Sequence, residues 1–220
     1  FHSYAFDFSV WEIWGAPSNG GRLVIVPYLV SRAPDDFYQL LVCEKITVLN
    51  QTPSAFYNLM QEERLNDGSR LALRHVIFGG EALNLSLLVP WIEKHGDNTP
   101  RLINMYGITE TTVHVTYRRL TSEAIRNADG TSLIGTSLAD LKLLILNESQ
   151  TLVPVGVSGE MYVGGAGVAR GYLNQTFLTA SRFVTLAEFG DQRFYRTGDL
   201  ARYTSNGELE YLGRIDHQVN

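Results

Sequence analysis

One cysteine, Cys43, occurs in 220 residues. That excludes an internal disulfide and a cysteine-built metal cluster, and it suits a reducing, cytoplasmic setting. No apolar stretch approaches the ~20 residues that a membrane-spanning helix needs, and no secretory signal opens the chain. Positive charge is also short: 18 Lys and Arg against 23 Asp and Glu leave a net charge of −5, and no basic run points to nucleic acid. The phosphate-loop pattern G-x-x-x-x-G-K-[ST] is absent. "GGAGVARG" meets the dinucleotide fingerprint only loosely, because Arg170 stands where the third Gly belongs and its surroundings read as β. Internal repeats and low-complexity tracts are missing as well. The chain starts at Phe1 rather than Met and stops abruptly, so it reads as a fragment.

What is present suits a globular fold: 45% hydrophobic and 19% charged residues. The first half alternates. A helix is expected from about Ser9 to Gly15, then a strand at "RLVIVPY" and a helix at "PDDFYQLLVCEK". "ITVLNQ" and "PSAFYNLMQEERL" follow as strand and helix, then "HVIFGG", "SLLVPWIEKHG" and "RLINMYG" as strand, helix and strand. Pro90 marks a kink or a late start in the last of these helices. Such alternation predicts a layered α/β part with a mostly parallel sheet.

After about residue 113 the texture changes. "HVTYRRL", "LKLLILN", "GEMYVGG", "LARYT" and "LEYLGRID" are short β-like runs, with one helical insert near "NQTFLTASRF" and a hairpin at Asn206-Gly207. This half is expected to be β-rich and mostly antiparallel, resembling a distorted barrel. The expected division is 1–115, α/β; 116–216, β-rich; and 217–220, the start of a further subdomain.

Asp7 sits in "FDFSVWE", among Phe6, Phe8, Val10 and Trp11. It can cap the helix that follows, or it can await a cation, since a buried carboxylate is costly unless paired. "FGGEA" and "NMYGITETT" lie at predicted strand ends, where open α/β sheets bind ligands. The second combines an aromatic ring, hydroxyls at Thr109, Thr111 and Thr112, and the Glu110 carboxylate around a Gly turn. That donor set suits a nucleotide with its Mg²⁺.

In order, "FDFSVWE", "NMYGITETT", "GEMYVGGAGVARGYL", "YRTGDLARY" and "LEYLGRIDHQV" resemble the core motifs of adenylation domains of nonribosomal peptide synthetases. These belong to the adenylate-forming superfamily. The resemblance covers essentially the whole chain and implies part of the large N-terminal subdomain, ending at the hinge. It also implies that the family's phosphate loop lies upstream of residue 1 and its catalytic lysine beyond residue 220, so the isolated chain is expected to be inactive. Ile108 departs from the usual Pro of "YGPTE", and Asn220 from the usual Lys.

The implied reaction is attack of an amino-acid carboxylate on the α-phosphate of MgATP, followed by transfer of the acyl group to a phosphopantetheine thiol. Partners implied are a peptidyl carrier protein and a condensation domain; nucleic acid and membrane are not. By resemblance, Glu110 helps hold Mg²⁺ and Thr109 contacts the α-phosphate. Tyr106 lies against adenine, with Gly107 in the same turn and Asn104, Gly79, Gly80 and Glu81 near it. Asp199 takes the ribose hydroxyls, Arg214 and Tyr211 sit near the nucleotide, and Asp216 is the hinge. Asp7 pairs with the substrate's α-ammonium group.

The implied pocket positions are Asp7, Phe8, Trp11, Asn50, Ile77, Gly79, Met105, Val113 and His114. Together they resemble the family's L-threonine signature, with Asn50 and His114 able to bond a hydroxyl. Two alternatives stay open: an acyl- or aryl-CoA ligase of the same superfamily, and a non-catalytic nucleotide-binding module. For individual residues, Asp199 reads equally as a turn acid after Gly198, and Arg214 as a solvated charge.

Overall fold

The computed structural model describes residues 1–66 and 71–215, in two compact units: Phe1–Asn104 with Arg119–Gly130, and Met105–Arg118 with Thr131–Asn220. The call at Asp216 and the departure at Asn220 lie outside the described residues.

In the first unit, α1 (Phe8–Gly15), α2 (Tyr28–Arg32) and α3 (Pro34–Cys43) precede β1 (Val48–Gln51). Pro34 opens α3 with Asp35 and Asp36 in its first turn, where a fixed φ and negative charge both favour a helix start. Next come α4 (Pro53–Leu65), β2 (His75–Phe78), α5 (Val89–His95) and β3 (Arg101–Asn104). A 3₁₀ turn, Leu85–Leu88, leads into α5, so Pro90 falls in its first turn as the late start allows. β1, β2 and β3 pair in parallel, with Asn50 opposite Ile77 and Ile77 opposite Ile103. Phe56 packs edge-on against Phe78 and Trp91, at 5.0 and 4.9 Å, in a core shared with Leu59, Leu88 and Leu102.

The expected strand at "RLVIVPY" does not form: residues 21–27 are irregular and α2 starts at Tyr28. Its apolar run suits a strand, but none of the described strands pairs with it, and without a ladder an extended segment is not a strand. Four elements escaped sequence reading: α2, α6 (Ser122–Arg126), β5 (Leu133–Ser137) and β8 (Phe183–Leu186). Thr121 caps α6 by accepting from the Ala124 N–H at 3.1 Å, and Leu120 and Ile125 join the first unit's core.

The second unit contains the start of β4 (Thr116–Leu120), then β5, β6 (Leu141–Leu146), β7 (Gly159–Gly165), α7 (Thr176–Arg182), β8 (Phe183–Leu186), β9 (Gln192–Tyr203) and β10 (Leu209–Arg214). Its strands run in the order β5-β10-β9-β7-β6, all antiparallel, with β8 also on β9. Among the described residues β6 and β5 do not pair, so the sheet stays open and the barrel-like expectation is corrected. Register shifts at Tyr211/Gly213 and Glu160/Tyr162 bend it, but closure needs a stagger carried consistently around every strand. Successive β6 residues enter different cores: Leu143 and Ile145 join Met161 and Val163, while Leu144 and Leu146 join Tyr162 and Phe194. Burial on both faces explains why "LLIL" (143–146) reads as an unbroken apolar run. The β9–β10 turn has Gly207 at φ 78°, as the Asn-Gly signal predicts.

Candidate functional site

Asp7 precedes α1 with helical backbone angles, φ −60° and ψ −24°, and its side chain makes no capping bond. A capping residue normally takes extended angles so that its side chain turns back on the first amides; the capping reading therefore does not hold. Among the described residues no hydrogen bond or ion pair engages the Asp7 carboxylate. Beside it, Phe8 is buried and stacks on His2 at 4.6 Å. One turn on, the Trp11 indole N–H donates to Asn50 Oδ1 at 2.9 Å. Asn50 stands next to Ile77 across the parallel pair. A cavity of about 600 Å³ in this unit is lined by Trp11, Asn50 and Ile77, among others; Asp7, Phe8 and Gly79 do not line it.

Gly79 is buried at the end of β2 and donates its N–H to the Gln51 carbonyl at 3.3 Å. Gly80 has φ +82°, and a Cβ there would come within 3.0 Å of the Phe6 ring. Glu81 accepts from the Ser54 N–H at 3.1 Å and the Ser54 hydroxyl at 2.9 Å. It thus supplies α4 with the cap that the Thr52 side chain does not. Asn104 is buried at the end of β3.

In the second unit, residues 105–116 form a tight loop. The Tyr106 carbonyl accepts from the N–H groups of Val115 and Thr116, at 2.7 and 3.0 Å. A Cβ on Gly107 would lie 1.7 Å from the Val113 carbonyl oxygen, so only Gly fits there. Ile108 has φ −140°, far from the value of about −65° that a proline ring allows, so this backbone is one Pro could not share. Thr109 is exposed at the start of a 3₁₀ turn. Thr112 and Val113 both have positive φ, 64° and 70°. Thr112 Oγ1 donates to the Gly167 carbonyl at 2.6 Å, and the Ala169 N–H donates to the Glu110 carbonyl at 2.8 Å, tying this loop to "GGAGVARG".

The Glu110 carboxylate accepts from the hydroxyls of Tyr172 and Tyr195, both through Oε1, and Oε2 makes no hydrogen bond among the described residues. Burial, together with the neighbouring Glu110, pushes the Tyr195 hydroxyl well above its ordinary range, so it remains a donor. An open carboxylate oxygen suits Mg²⁺, which is bound through one or two carboxylates and completes its shell with phosphates and water. No group of three or more potential metal ligands occurs among the described residues.

Met105 and His114 are buried, and Val113 is half-buried. Desolvation holds the His114 imidazole down to about 4, so it is neutral at physiological pH. Its folded value lies below the unfolded one of about 6.5, so the unfolded chain binds the proton more tightly. The stability tied to neutral His114 is therefore complete above pH 6.5 and is lost as the pH falls towards 4. Denaturant titrations at pH 7 and pH 4.5 should show His114→Gln less acid-sensitive than the parent, by on the order of 2 kcal/mol; equal acid sensitivity would refute this.

Asp199 lies within β9, 2% exposed, and not in a turn. It accepts from the Tyr106 hydroxyl through Oδ2, and through Oδ1 from the Tyr211 hydroxyl at 3.5 Å and Arg214 at 3.4 Å. The β9–β10 register sets Arg214 opposite Asp199, and the Arg214 side chain is only 14% exposed, so it is not a solvated charge. Burial, helped by the Asp199 charge, raises the Tyr106 hydroxyl well above its ordinary range. The structure thus gathers Tyr106, Asp199, Tyr211 and Arg214 into one cluster. Tyr172 and Tyr195 were missed, although both stand inside quoted motifs, "ARGYL" and "YRTGDL"; nothing local marks a tyrosine as a partner for a residue 62 or 85 positions away.

The AMP-binding enzyme family matches residues 1–173. The chain is 58% identical over 223 residues to a dimodular nonribosomal peptide synthase of Bacillus subtilis, covering 100% of this chain and 9% of that protein. It is 52% identical over 219 residues to syringomycin synthase SyrB1 of Pseudomonas syringae, covering 100% of this chain and 35% of that protein. A solved structure of PA1221, a nonribosomal peptide synthetase protein containing adenylation and PCP domains, superposes with a TM-score of 0.86 at 31% identity, covering 100% of this chain and 43% of that one. The chain thus spans about a tenth to a third of these curated relatives. With that match over most of its length, the chain belongs to the AMP-binding enzyme family, as adenylation-domain sequence of the nonribosomal peptide synthetase kind.

Proposed function

We propose that this chain carries amino-acid and nucleotide contacts of an adenylating ligase. The parent enzyme joins an amino acid to the α-phosphate of MgATP, releases pyrophosphate, and passes the aminoacyl group to a phosphopantetheine thiol on a carrier protein. The carrier is supported by the adenylation and PCP domains named for the superposed protein; the condensation domain rests on the motif resemblance alone. The observation that carries the reading is Asp7, a carboxylate in an apolar setting that neither caps α1 nor meets a cation among the described residues. An α-ammonium group supplies that cation, whereas a simple acyl or aryl acid does not. Thr109 contacts the α-phosphate, and the open oxygen of Glu110 serves Mg²⁺, which would offset the charge meeting there. Asp199 takes the ribose diol, because a carboxylate accepts from two hydroxyls; Tyr106, Tyr211 and Arg214 hold it in place. Gly79, Gly80, Asn104 and Gly107 shape the adenine surroundings, Glu81 acts through its hold on α4, and Asp216 is the hinge.

The substrate we propose is L-threonine. Phe8, Trp11, Ile77, Gly79, Met105 and Val113 keep the lining roles given by the motif resemblance. Trp11 occupies Asn50 Oδ1, which leaves the Asn50 amide hydrogens to donate to the substrate's hydroxyl oxygen. His114 keeps the polar lining role given by the motif resemblance, and desolvation keeps it neutral. Pyrophosphate exchange by the full-length enzyme with threonine, serine, valine and 2-aminobutyrate tests this. Serine, lacking one methyl, should fall about 10–200-fold behind threonine, and valine by more, because it leaves polar groups unpaired. Valine or 2-aminobutyrate activated as well as threonine would show that no hydroxyl is read.

A further inference from the structure

We infer that Tyr172 and Tyr195 are positioning residues for the metal: together they hold one oxygen of Glu110 and so aim the other at Mg²⁺. This rests on the proposed role of Glu110 and adds two residues to it.

Glu110 stands in a three-residue 3₁₀ turn, Thr109–Thr111. A glutamate on so short a turn has three rotatable bonds and no neighbour in its own turn to fix them. Two phenols fix them here. Both reach Oε1, with the Tyr195 hydroxyl 2.9 Å from it, and the two hydroxyls are 2.9 Å from each other. Each phenol has a single proton, and one acceptor oxygen can take both. Glu110 is half-buried, and Oε2, which makes no hydrogen bond among the described residues, is not one of the buried unpartnered oxygens, so it is open to a ligand from outside.

The phenols are themselves held. Their rings rest on one side chain, Phe183, at 5.5 Å from Tyr172 and 4.9 Å from Tyr195. Tyr195 belongs to β9 and is paired on both edges, with Phe183 of β8 and Val163 of β7. The Tyr172 N–H donates to Thr179 Oγ1 of α7 at 2.9 Å. Before it, Gly171 has φ +148°, and a Cβ there would lie 2.5 Å from Thr179. The backbone at Glu110 is pinned as well, by the Ala169 N–H. A ligand fixed at both ends by groups locked in packing is how a metal site keeps its geometry.

The test uses the full-length enzyme and Mn²⁺ as the probe, its binding followed by electron paramagnetic resonance with a non-cleavable ATP analogue present. Tyr172→Phe and Tyr195→Phe should each weaken Mn²⁺ several-fold, and the double variant about 10–100-fold, the range typical of groups that orient a metal ligand. Metal-free binding of the analogue and the thermal midpoint should stay at parental values, which a merely structural role for the phenols would not allow. If Glu110→Gln weakens Mn²⁺ but the double tyrosine variant does not, the inference fails and the Glu110 role survives. If Glu110→Gln leaves Mn²⁺ binding unchanged, both fail.

Discussion

Asp7→Ala in the full-length enzyme lowers amino-acid-dependent pyrophosphate exchange by roughly 30-fold to several thousand-fold, while the thermal midpoint stays where it was. The rate effect follows from bringing an ammonium group into an apolar site without its counter-charge; truncating one partner of such a buried pair costs about 2–5 kcal/mol. The unchanged stability follows from geometry, because the Asp7 side chain makes no bond to the first turn of α1. A capping residue would behave in the opposite way, losing about 1 kcal/mol of stability on truncation to Ala. The two readouts together decide: unchanged exchange, or exchange and stability falling in step, would remove Asp7 from substrate binding.

Gly107→Ala should be the most damaging single-methyl change in the second unit. The three atoms nearest the added Cβ are all backbone: the Val113 oxygen at 1.7 Å, the Val113 carbonyl carbon at 2.6 Å and the His114 Cα at 2.8 Å. No rotamer change relieves such a clash. Ordinary overpacking of a core costs about 1–3 kcal/mol, and here the loop itself must open. Opening it separates Tyr106 from Val115 and Thr116, whose N–H groups it accepts, and so disturbs the neighbourhood of Asp199 as well. A lowered thermal midpoint should accompany loss of both ATP and amino-acid binding, read by calorimetry. A midpoint within a degree or two of the parent, with binding intact, would show that the loop has room the structure does not give it.

Segments whose ends carry their own chemistry were legible in the sequence. Pro53 and Pro34 open helices because a proline at the first turn gives up an N–H that has no partner anyway, and Asn206-Gly207 turns the hairpin because Gly207 reaches positive φ. What needed a distant partner was not legible. "RLVIVPY" has strand texture, but strands exist only as pairs. β5 hides in "LIGTS", five residues with little periodicity, and is stabilised by β10 and β4. That the second sheet stays open depends on strand pairing that no composition records. At the site, the motif resemblance pointed to Glu110 and Asp199 but not to the hydroxyls that hold them. The bond from Ser54 of α4 to Glu81, which spans 27 positions, was not legible either.

Two consecutive β-branched residues, Thr112 and Val113, hold left-handed backbone angles, a state that disfavours branched side chains by about 1–3 kcal/mol each. At the proposed pocket wall, this makes position 113 a biased die. Mutation there is sorted by backbone torsion before it is sorted by substrate: Gly, Asn and Asp arrive with relief of strain, whereas Ile and Thr inherit it. A route to a new amino acid through this wall is therefore open to small and polar side chains sooner than to large apolar ones, whatever shape the incoming substrate prefers.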